Sequence, residues 1–436
     1  MSTSGSHRDR RVPIRVMYDC QIGPLRPSGR LYCDNASSSF PKPGCVTNAM
    51  VDFAVNVGSS AGRGAYRESR IAGDILLRCR RNIVALLNAE GPEQIVFTMN
   101  CSDALNLVIH GLLNTAAPGA EVIVTALEHN SVLRPLEALK QSNGVQVHVV
   151  PCDPIAALVN PEDVRKAITP KTKLIVCCHV SNVTGTIQPV ADVCRVAREA
   201  GIPCLIDAAQ AAGHVEIDVR ALGCDFLAFP GHKGLLGPLG TGGLYVRPGA
   251  EKLLSTIKEG GTGSQSEMMV QPEGMPERFE IGSHNVIGIA GLAASTGWLL
   301  NRGIAHVREH DKRLIRLFMS LAGGINHLTV HGPRDAERRV GVFSVNVDGM
   351  SPGDVASALE ARGILTRAGL HCAPLAHQAI GTFPAGACRI SFGPFMREDH
   401  VRRVATALFQ LAEGRLGGKA AATAKTMPPP PEDQAR

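Results

Sequence analysis

The sequence predicts an α/β fold with two parts, a large domain around a mixed, mostly parallel sheet and a smaller α+β domain toward the C-terminus. Two observations lead to this prediction. Short apolar runs alternate with helical patterns over the first 300 residues or so, which is typical of a sheet covered by helices. After about residue 300 the pattern changes to one long amphipathic helix followed by short strands.

The predicted strands of the large domain are short, and several are apolar on both faces, as expected of strands buried between helices. In chain order they are EVIVTAL, VQVHVV, KLIVCCHV, PCLIDAA, DFLAF and GGLYV, and FTMNCSDALNLVIHG predicts a further strand, a tight turn and a helix. Other helices are predicted at PLEALKQ, PEDVRKAI and VADVCRVAREAG. In the smaller domain, HVREHDKRLIRLFMSLAGG and PGDVASALEARG predict helices, and LTVHG, GVFSVNV and CRISF predict strands.

These elements place the large domain at residues 46–300 and the small domain at residues 301–415, with residues 30–45 joining the small domain. Residues 1–29 contain three prolines among scattered arginines and are predicted to form a flexible extension. Residues 416–436 include the low-complexity run AATAKTMPPPPEDQAR and are predicted to be disordered.

Composition fits a globular enzyme and argues against several other classes. The chain of 436 residues has room for two domains, and 44% of it is hydrophobic and 19% charged. The net charge of +6 is modest, and only 4% of residues are aromatic, so nucleic-acid binding is not expected. The longest apolar candidate, IGIAGLAAS, is interrupted by glycines and is too short for a membrane span.

The cysteines and the N-terminus indicate a reducing cytoplasm. The N-terminal MSTSGSHRDRRVPIRV is polar and lacks the apolar core of a secretory signal; a mitochondrial presequence is the less favoured alternative. The thirteen cysteines include no C-x-x-C pair, so neither a disulfide framework nor a metal site is predicted.

One lysine and one aspartate point to a specific chemistry. Asp207 closes the apolar strand in LIDAAQAAGH, and Lys233 follows the next strand in the small-residue loop FPGHKGLLGPLGTGG. A pyridoxal phosphate (PLP) enzyme needs such a pair, because a lysine amine binds the cofactor aldehyde and a carboxylate keeps the pyridine nitrogen protonated. The sequence therefore predicts PLP bound to Lys233.

Polar residues also follow the neighbouring strands. In open α/β sheets the functional groups lie where strands end at their carboxyl edge. One such residue alone would usually be an ordinary turn residue, but four successive strand ends carry them and indicate a shared site. They are Glu128 with His129, Asn182, Asp207 with Gln210, and His232 with Lys233.

The predicted phosphate site lies at FTMNCSDALNLVIHG, where Ser102 and Asp103 fall in the first helical turn. Backbone N–H groups and a serine hydroxyl at a helix N-terminus bind anions. On the residues alone, an ordinary Ser/Asp helix cap is the favoured explanation of the pattern. The glycine-rich GPLGTGG precedes a strand and not a helix, so it is not a dinucleotide motif.

Beyond these residues, the chain resembles the class V aminotransferase-fold enzymes, and among them the group II cysteine desulfurases and selenocysteine lyases. The matching motifs run from residue 31 to about residue 399 in the family's order, and they are CDNASSSFPKP, GRGAYR, EHN, HVSNVTGT, DAAQ, GHK, RFEIGSHN, RAGLHCAP and CRISFG. The resemblance implies the PLP-dependent transferase fold type I, in which the large domain holds a seven-stranded sheet.

The resemblance also implies a role for each matching residue around the cofactor. Lys233 would bind PLP and move a proton at the substrate Cα, and Asp207 would pair with the pyridinium nitrogen. His129 would stack on the ring and serve as a catalytic acid–base. The remaining cofactor contacts would be made to the phenolic oxygen region by Gln210 and Asn182, and to the phosphate by Ser102, His232, the amides near Cys101 and Ser283 of a partner subunit.

For the substrate, Arg389 would clamp the carboxylate bidentately, with Arg367, Asn35 and Arg63 as further contacts. Cys372 would attack the substrate sulfur as a thiolate, retain it as a persulfide and release alanine. Nearby cations favour a thiolate, and Arg367 and His371 lie in the same segment. Because the family shares residues across its interface, a homodimer is expected.

We therefore predict a cysteine desulfurase that acts on L-cysteine or L-selenocysteine and passes sulfur to an acceptor protein of open identity. Two residues depart from the family pattern: Pro230 stands where many desulfurases have a phosphate-binding serine, and Cys101 stands where threonine is common. One alternative is another class V PLP enzyme, such as an aminotransferase, epimerase or β-lyase, which needs no thiol. A catalytically idle scaffold is the second alternative, but it would not need Lys233 and Asp207.

Overall fold

The computed structural model describes residues 29–62 and 64–414. The predicted flexible extension up to residue 28, the predicted tail from residue 415 and Arg63 lie outside the described residues. The elements up to residue 302 are, in chain order, β1 (Leu31–Tyr32), α1 (Gly44–Asn56), α2 (Arg67–Leu87), β2 (Ile95–Thr98), α3 (Cys101–Leu113), β3 (Glu121–Thr125), α4 (Asn130–Asn143), β4 (Gln146–Val150), α5 (Pro161–Ala167), β5 (Thr172–Cys178), α6 (Val190–Glu199), β6 (Cys204–Asp207), α7 (Val219–Leu222), β7 (Phe226–Pro230), β8 (Gly242–Val246) and α8 (Val286–Arg302).

The remaining elements form the C-terminal part. They are α9 (Ile304–Ala322), β9 (Leu328–Val330), β10 (Val342–Val347), α10 (Pro352–Ala361), β11 (Ile364–Leu365), β12 (Arg367–Gly369), α11 (Pro374–Ala379), β13 (Ala387–Ser391) and α12 (Glu398–Glu413).

The large sheet has seven strands in the order β2-β8-β7-β6-β5-β3-β4. Strand β8 pairs antiparallel with both β2 and β7, whereas the pairs among β7, β6, β5, β3 and β4 are parallel. Only β8 therefore runs against the other six. The predicted mixed, mostly parallel seven-stranded sheet is confirmed.

Both faces of this sheet are buried. In β5, Ile175 and Cys177 join the hydrophobic cluster formed with α2, α6 and α8, while Leu174 and Val176 join the cluster formed with α3 and α4 on the opposite face. Alternation of side chains across a strand produces this division. Helices on both faces leave only the strand ends open, which is where polar residues can meet a ligand.

Helix α4 begins earlier than its sequence pattern predicts, at Asn130 and not at Pro135. The Nδ1 atom of His129 accepts the backbone N–H of Ser131 and caps the first turn. A histidine in this capping role is not apparent from the apolar periodicity. Among the residues that the structure describes, no helix is long and apolar enough to cross a membrane.

The C-terminal part contains an antiparallel sheet in the order β12-β13-β10-β9. Its core includes Phe318, Phe343 and Phe392, whose ring centroids lie 4.4–5.6 Å apart. Strand β1 pairs in parallel with β11, and Asp34 forms a bridge to Ser391 at the end of β13. These contacts bring residues 31–34 to the C-terminal end of β13.

Candidate active site

The carboxyl ends of β3, β5, β6 and β7 meet the N-terminus of α3 around one cavity of about 90 Å³. The cavity brings together most of the predicted cofactor residues, and those lining it are Cys101, Ser102, His129, Asn182, Asp207, Gln210, His232 and Lys233. They come from separate connections of one sheet, so the parallel strand order is what assembles them.

Lys233 lies in the turn between β7 and β8, with Gly231 two positions before it and Gly234 directly after it. A side chain on Gly234 would place its Cβ 2.3 Å from the carbonyl oxygen of Ala212, so the close packing of this turn requires glycine. Burial lowers the pKa of the Lys233 amine, with Asp207 opposing the shift and Arg389 and Arg367 reinforcing it. A lowered pKa increases the fraction of neutral amine, which is the form that attacks an aldehyde.

Asp207 ends β6 and is buried, with 5% of its surface exposed. Its Oδ1 atom accepts a hydrogen bond from the backbone N–H of Ala209 at 2.8 Å and one from the Cys101 thiol at 3.5 Å. A thiol is a weak hydrogen-bond donor, so the carboxylate remains available to a stronger, positively charged donor. This carboxylate fits the pyridinium nitrogen of PLP.

His129 follows β3 and is half-buried. Its Nδ1 accepts the Ser131 backbone N–H at 3.0 Å, so the neutral ring carries its proton on Nε2. Burial lowers the pKa of His129 to about 4, which keeps the ring neutral near pH 7. The ring therefore presents a donor, and not a positive charge, to the cavity it lines.

The phosphate end of the cavity also fits the cofactor. Asn100 caps α3 by accepting the backbone N–H of Asp103, and Ser102 lies in the first turn of this 13-residue helix. The buried Nδ1 atom of His232 has no hydrogen-bond partner among the described residues. Helix N–H groups, a hydroxyl and an unpaired imidazole nitrogen together suit a phosphate.

Two arginines lie beyond the cavity in the C-terminal part. Arg389, on β13, is 1% exposed, and its guanidinium donates to Asp34 Oδ1 at 2.9 Å, to Ser37 Oγ at 2.7 Å and to the Asn182 carbonyl at 3.2 Å. Its Nε has no partner among the described residues. Arg367, on β12, donates to Ser37 Oγ at 3.2 Å, so one serine lies between two cations.

Cys372 is partly exposed and follows β12 in a tight loop. Its sulfur lies 3.5 Å from the Nη2 of Arg367, and its carbonyl accepts the backbone N–H of Asn130 at 2.7 Å. The carbonyl of His371 accepts the side-chain amide of Asn182 at 2.7 Å. The loop is thus fastened to the residues that follow β3 and β5, and its thiol has a cation beside it.

Comparison with known proteins identifies the family. The Aminotransferase class-V family matches residues 31–404. The chain belongs to the class V aminotransferases. The predicted class V membership and the predicted fold are confirmed.

Named relatives within this class V family agree. A probable cysteine desulfurase from Methanothermobacter thermautotrophicus is 35% identical over 387 residues, which is 88% of this chain and 94% of that protein. A cysteine desulfurase from Escherichia coli O9:H4 is 34% identical over 386 residues, 86% of this chain and 92% of that one. The solved apo structure of a cysteine desulfurase from Thermococcus onnurineus NA1 superposes with a TM-score of 0.82 at 32% identity, covering 88% and 95% of the two chains.

Three of the predicted site residues either lie outside the cavity or hydrogen-bond to other protein groups. Asn35 is buried, and its amide binds the carbonyl of Ser391 and the backbone N–H of Phe40. The amide of Gln210 donates to the Ala36 carbonyl at 2.9 Å, although the residue lines the cavity. Ser283 is exposed in the connection between β8 and α8 and does not line the cavity.

Sequence reasoning missed the residues that hold the two arginines. Asp34 and Ser37 contact Arg389, and Ser37 also contacts Arg367. The available signal was the polar run in CDNASSS, which was recognised only as a family motif. His377 and Thr382 were also missed, although HCAPLAH places a second histidine six residues after His371.

Proposed function

We propose that this protein is a PLP-dependent cysteine desulfurase that converts L-cysteine to L-alanine and keeps the sulfur on Cys372. The observation that carries the proposal is the Cys372 loop. The Cys372 thiol has an arginine 3.5 Å away. Hydrogen bonds from the Asn130 backbone and the Asn182 side chain hold its loop against the residues that follow β3 and β5. The relatives' names support the same activity. An aminotransferase, epimerase or β-lyase has no step that uses a thiol nucleophile.

The cavity residues would hold PLP in a defined orientation. When bound, PLP supplies an electron sink that acidifies the substrate Cα. Lys233 would bind the aldehyde and carry the Cα proton, since its pKa is lowered by burial. Asp207 would hold the ring nitrogen, while Ser102, His232 and the amides at the start of α3 would hold the phosphate.

The substrate carboxylate would bind beside Arg389. This guanidinium already contacts Asp34, Ser37 and the Asn182 carbonyl, so its orientation is fixed before substrate arrives. Preorganisation of this kind reduces the entropy lost on binding. Arg367, whose side chain contacts both Ser37 and the Cys372 sulfur, would link the substrate site to the nucleophile.

Sulfur transfer follows from the position of the thiol. The Cys372 thiolate forms an S–S bond to the substrate sulfur while the substrate C–S bond breaks, and the carbon takes up the electron pair with a proton. Cysteine thereby becomes alanine, and Cys372 becomes a persulfide. Arg367 stabilises the thiolate before attack because an adjacent cation favours the charged sulfur.

The proposed activity also involves a second subunit, a protein that accepts the sulfur and a second substrate. We propose a homodimer in which the exposed Ser283, and Arg63 of the GRGAYR motif, serve the partner's site, and a protein acceptor that receives the persulfide sulfur. L-selenocysteine is a second candidate substrate, because its carbon–selenium bond is weaker and needs the thiol less. The proposed compartment is the cytoplasm.

The test is to incubate the purified protein with L-cysteine and measure alanine, pyruvate and sulfide, with and without a thiol reductant. Without the reductant, a desulfurase gives alanine only until Cys372 carries the persulfide. With the reductant, the persulfide is reduced, sulfide is released and alanine formation continues. Pyruvate with sulfide in place of alanine would instead show a β-lyase. Absence of turnover with PLP bound would overturn the proposal.

A further inference from the structure

The backbone that carries Cys372 has an unusual conformation. His371 and Cys372 have φ angles of +50° and +58°, a left-handed region that residues with a side chain seldom adopt. Two such residues in succession need support from outside the loop. The contacts from Asn130 and Asn182 hold the carbonyls of this segment, and a second set of contacts holds its side chains.

Three side chains form a hydrogen-bond chain behind the thiol. His371 Nε2 lies 3.2 Å from the carbonyl of Arg367, and its Nδ1 lies 3.1 Å from Nε2 of His377. His377 Nδ1 lies 2.7 Å from the hydroxyl of Thr382. Both histidines are buried, with 2% and 0% of their surfaces exposed.

The chemistry of the last acceptor fixes the direction of the whole chain. A carbonyl only accepts, so His371 Nε2 carries the proton and donates to Arg367, which leaves Nδ1 of the neutral ring as an acceptor. His377 must then donate from Nε2, and its Nδ1 accepts the Thr382 hydroxyl. Burial lowers the pKa of His371 to about 3 and that of His377 to about 4, so both rings stay neutral, as this arrangement requires.

We propose, on the basis of the proposed function, that His371, His377 and Thr382 are positioning residues that hold the Cys372 thiol against Arg367 for attack on the substrate sulfur. The chain starts from α11 and the turn after it and ends on the backbone of Arg367. The Arg367 side chain in turn reaches the Cys372 sulfur. Loss of one link removes a support that reaches both the loop of the nucleophile and the backbone of its cation, while the contacts from Asn130, Asn182 and Ser37 remain.

Two variants of His377 test the proposal in the PLP-loaded enzyme. In His377→Phe, which keeps a ring but no polar atoms, kcat for L-cysteine should fall roughly 10- to 100-fold because the reacting atoms are misplaced, while KM and the cofactor absorbance stay unchanged. His377→Gln should recover most of kcat, since its amide nitrogen can replace the donor to His371. Thr382→Val should lower kcat in the same direction by less.

The control is His310→Phe. His310 is half-buried and, like His371, hydrogen-bonds a carbonyl through Nε2, that of Met396 at 2.9 Å, but it lies on α9 outside the loop. Its kcat should equal that of the wild type. Wild-type kcat in His377→Phe would overturn the proposal. So would an equal fall in kcat in His377→Phe and His310→Phe, accompanied by an equal fall in their melting temperatures.

A second measurement separates this inference from the proposed function. The rate at which iodoacetamide alkylates Cys372 at pH 7, read by peptide mass spectrometry against the partly exposed Cys152, should fall in His377→Phe because the sulfur leaves its cation. An unchanged ratio would count against the positioning role. If the wild type makes no alanine, the proposed function fails, and this ratio still reports on the loop.

Discussion

Replacing Arg389 by alanine should raise KM for L-cysteine far more than it lowers kcat. The guanidinium is 1% exposed and donates to Asp34, Ser37 and the Asn182 carbonyl, so a substrate carboxylate would meet a dehydrated, immobile cation. Removing one partner of such a charge pair costs about 2–5 kcal/mol. Since about 1.4 kcal/mol is a factor of ten, KM should rise roughly 30- to 4,000-fold.

The assay is steady-state alanine formation over a wide range of L-cysteine concentrations. Arg389→Lys keeps the charge but lacks the planar fork, so its KM should fall between those of the wild type and the alanine variant. Because Arg389→Ala also leaves Asp34 without its ion pair, its urea-unfolding free energy should drop. Adding Asp34→Asn should recover stability without recovering KM. An unchanged KM in a folded Arg389→Ala enzyme would refute the assignment and leave this arginine a structural role.

Four further outcomes are expected. Borohydride reduction of the holoenzyme should fix a pyridoxyl group on the Lys233 peptide by mass spectrometry, and Lys233→Ala should abolish turnover while still binding PLP weakly. Cys372→Ala should retain PLP yet release little alanine from L-cysteine, whereas turnover of L-selenocysteine should persist; full activity with cysteine would point to a general PLP lyase. The active species should sediment as a dimer, and Ser283→Ala should weaken PLP binding by equilibrium dialysis. In urea unfolding, the free energy of unfolding of the wild type should fall as the pH rises from 5 to 8, and Glu128→Gln should remove this fall.

The sequence was sufficient to predict the sheet and the residues at its carboxyl edge. Buried strands are apolar on both faces, and topology then forces the residues after them together. This is why His129, Asp207 and Lys233 were predicted to share one site and line one cavity.

The contacts that depend on long-range packing could not be predicted in the same way. Asp34 and Ser37 reach Arg389 across 355 and 352 positions of chain, because β1 pairs with β11 and Asp34 forms a bridge to Ser391 at the end of β13. Two-residue strands such as β1 carry almost no periodic signal. Asn182 was predicted to contact the cofactor, but its amide donates to the His371 carbonyl. This contact likewise depends on how the C-terminal part packs on the sheet.

Glu128, which follows β3 at the same edge of the sheet as Asp207, is a buried carboxyl group with a raised pKa. It is fully buried, and its Oε1 accepts the Thr125 hydroxyl at 2.6 Å and the Cys178 backbone N–H at 2.9 Å. Its Oε2 has no partner among the described residues. Burial raises the pKa of Glu128 to about 8, and the nearby charge of Asp207 acts in the same direction. Near pH 7 it is therefore mainly a neutral acid.

The raised pKa of Glu128 in the folded state makes the stability of the protein depend on pH. The unfolded carboxyl ionises near pH 4.5 and the folded one near pH 8, so between these values the folded state binds more protons. The contribution of Glu128 is complete below the unfolded pKa and falls by about 1.4 kcal/mol per pH unit as the pH rises toward 8. Glutamine keeps the shape and cannot ionise, so the variant should gain on the wild type over this window. Parallel pH profiles for the two proteins would show that Glu128 is already ionised in the folded state at pH 5.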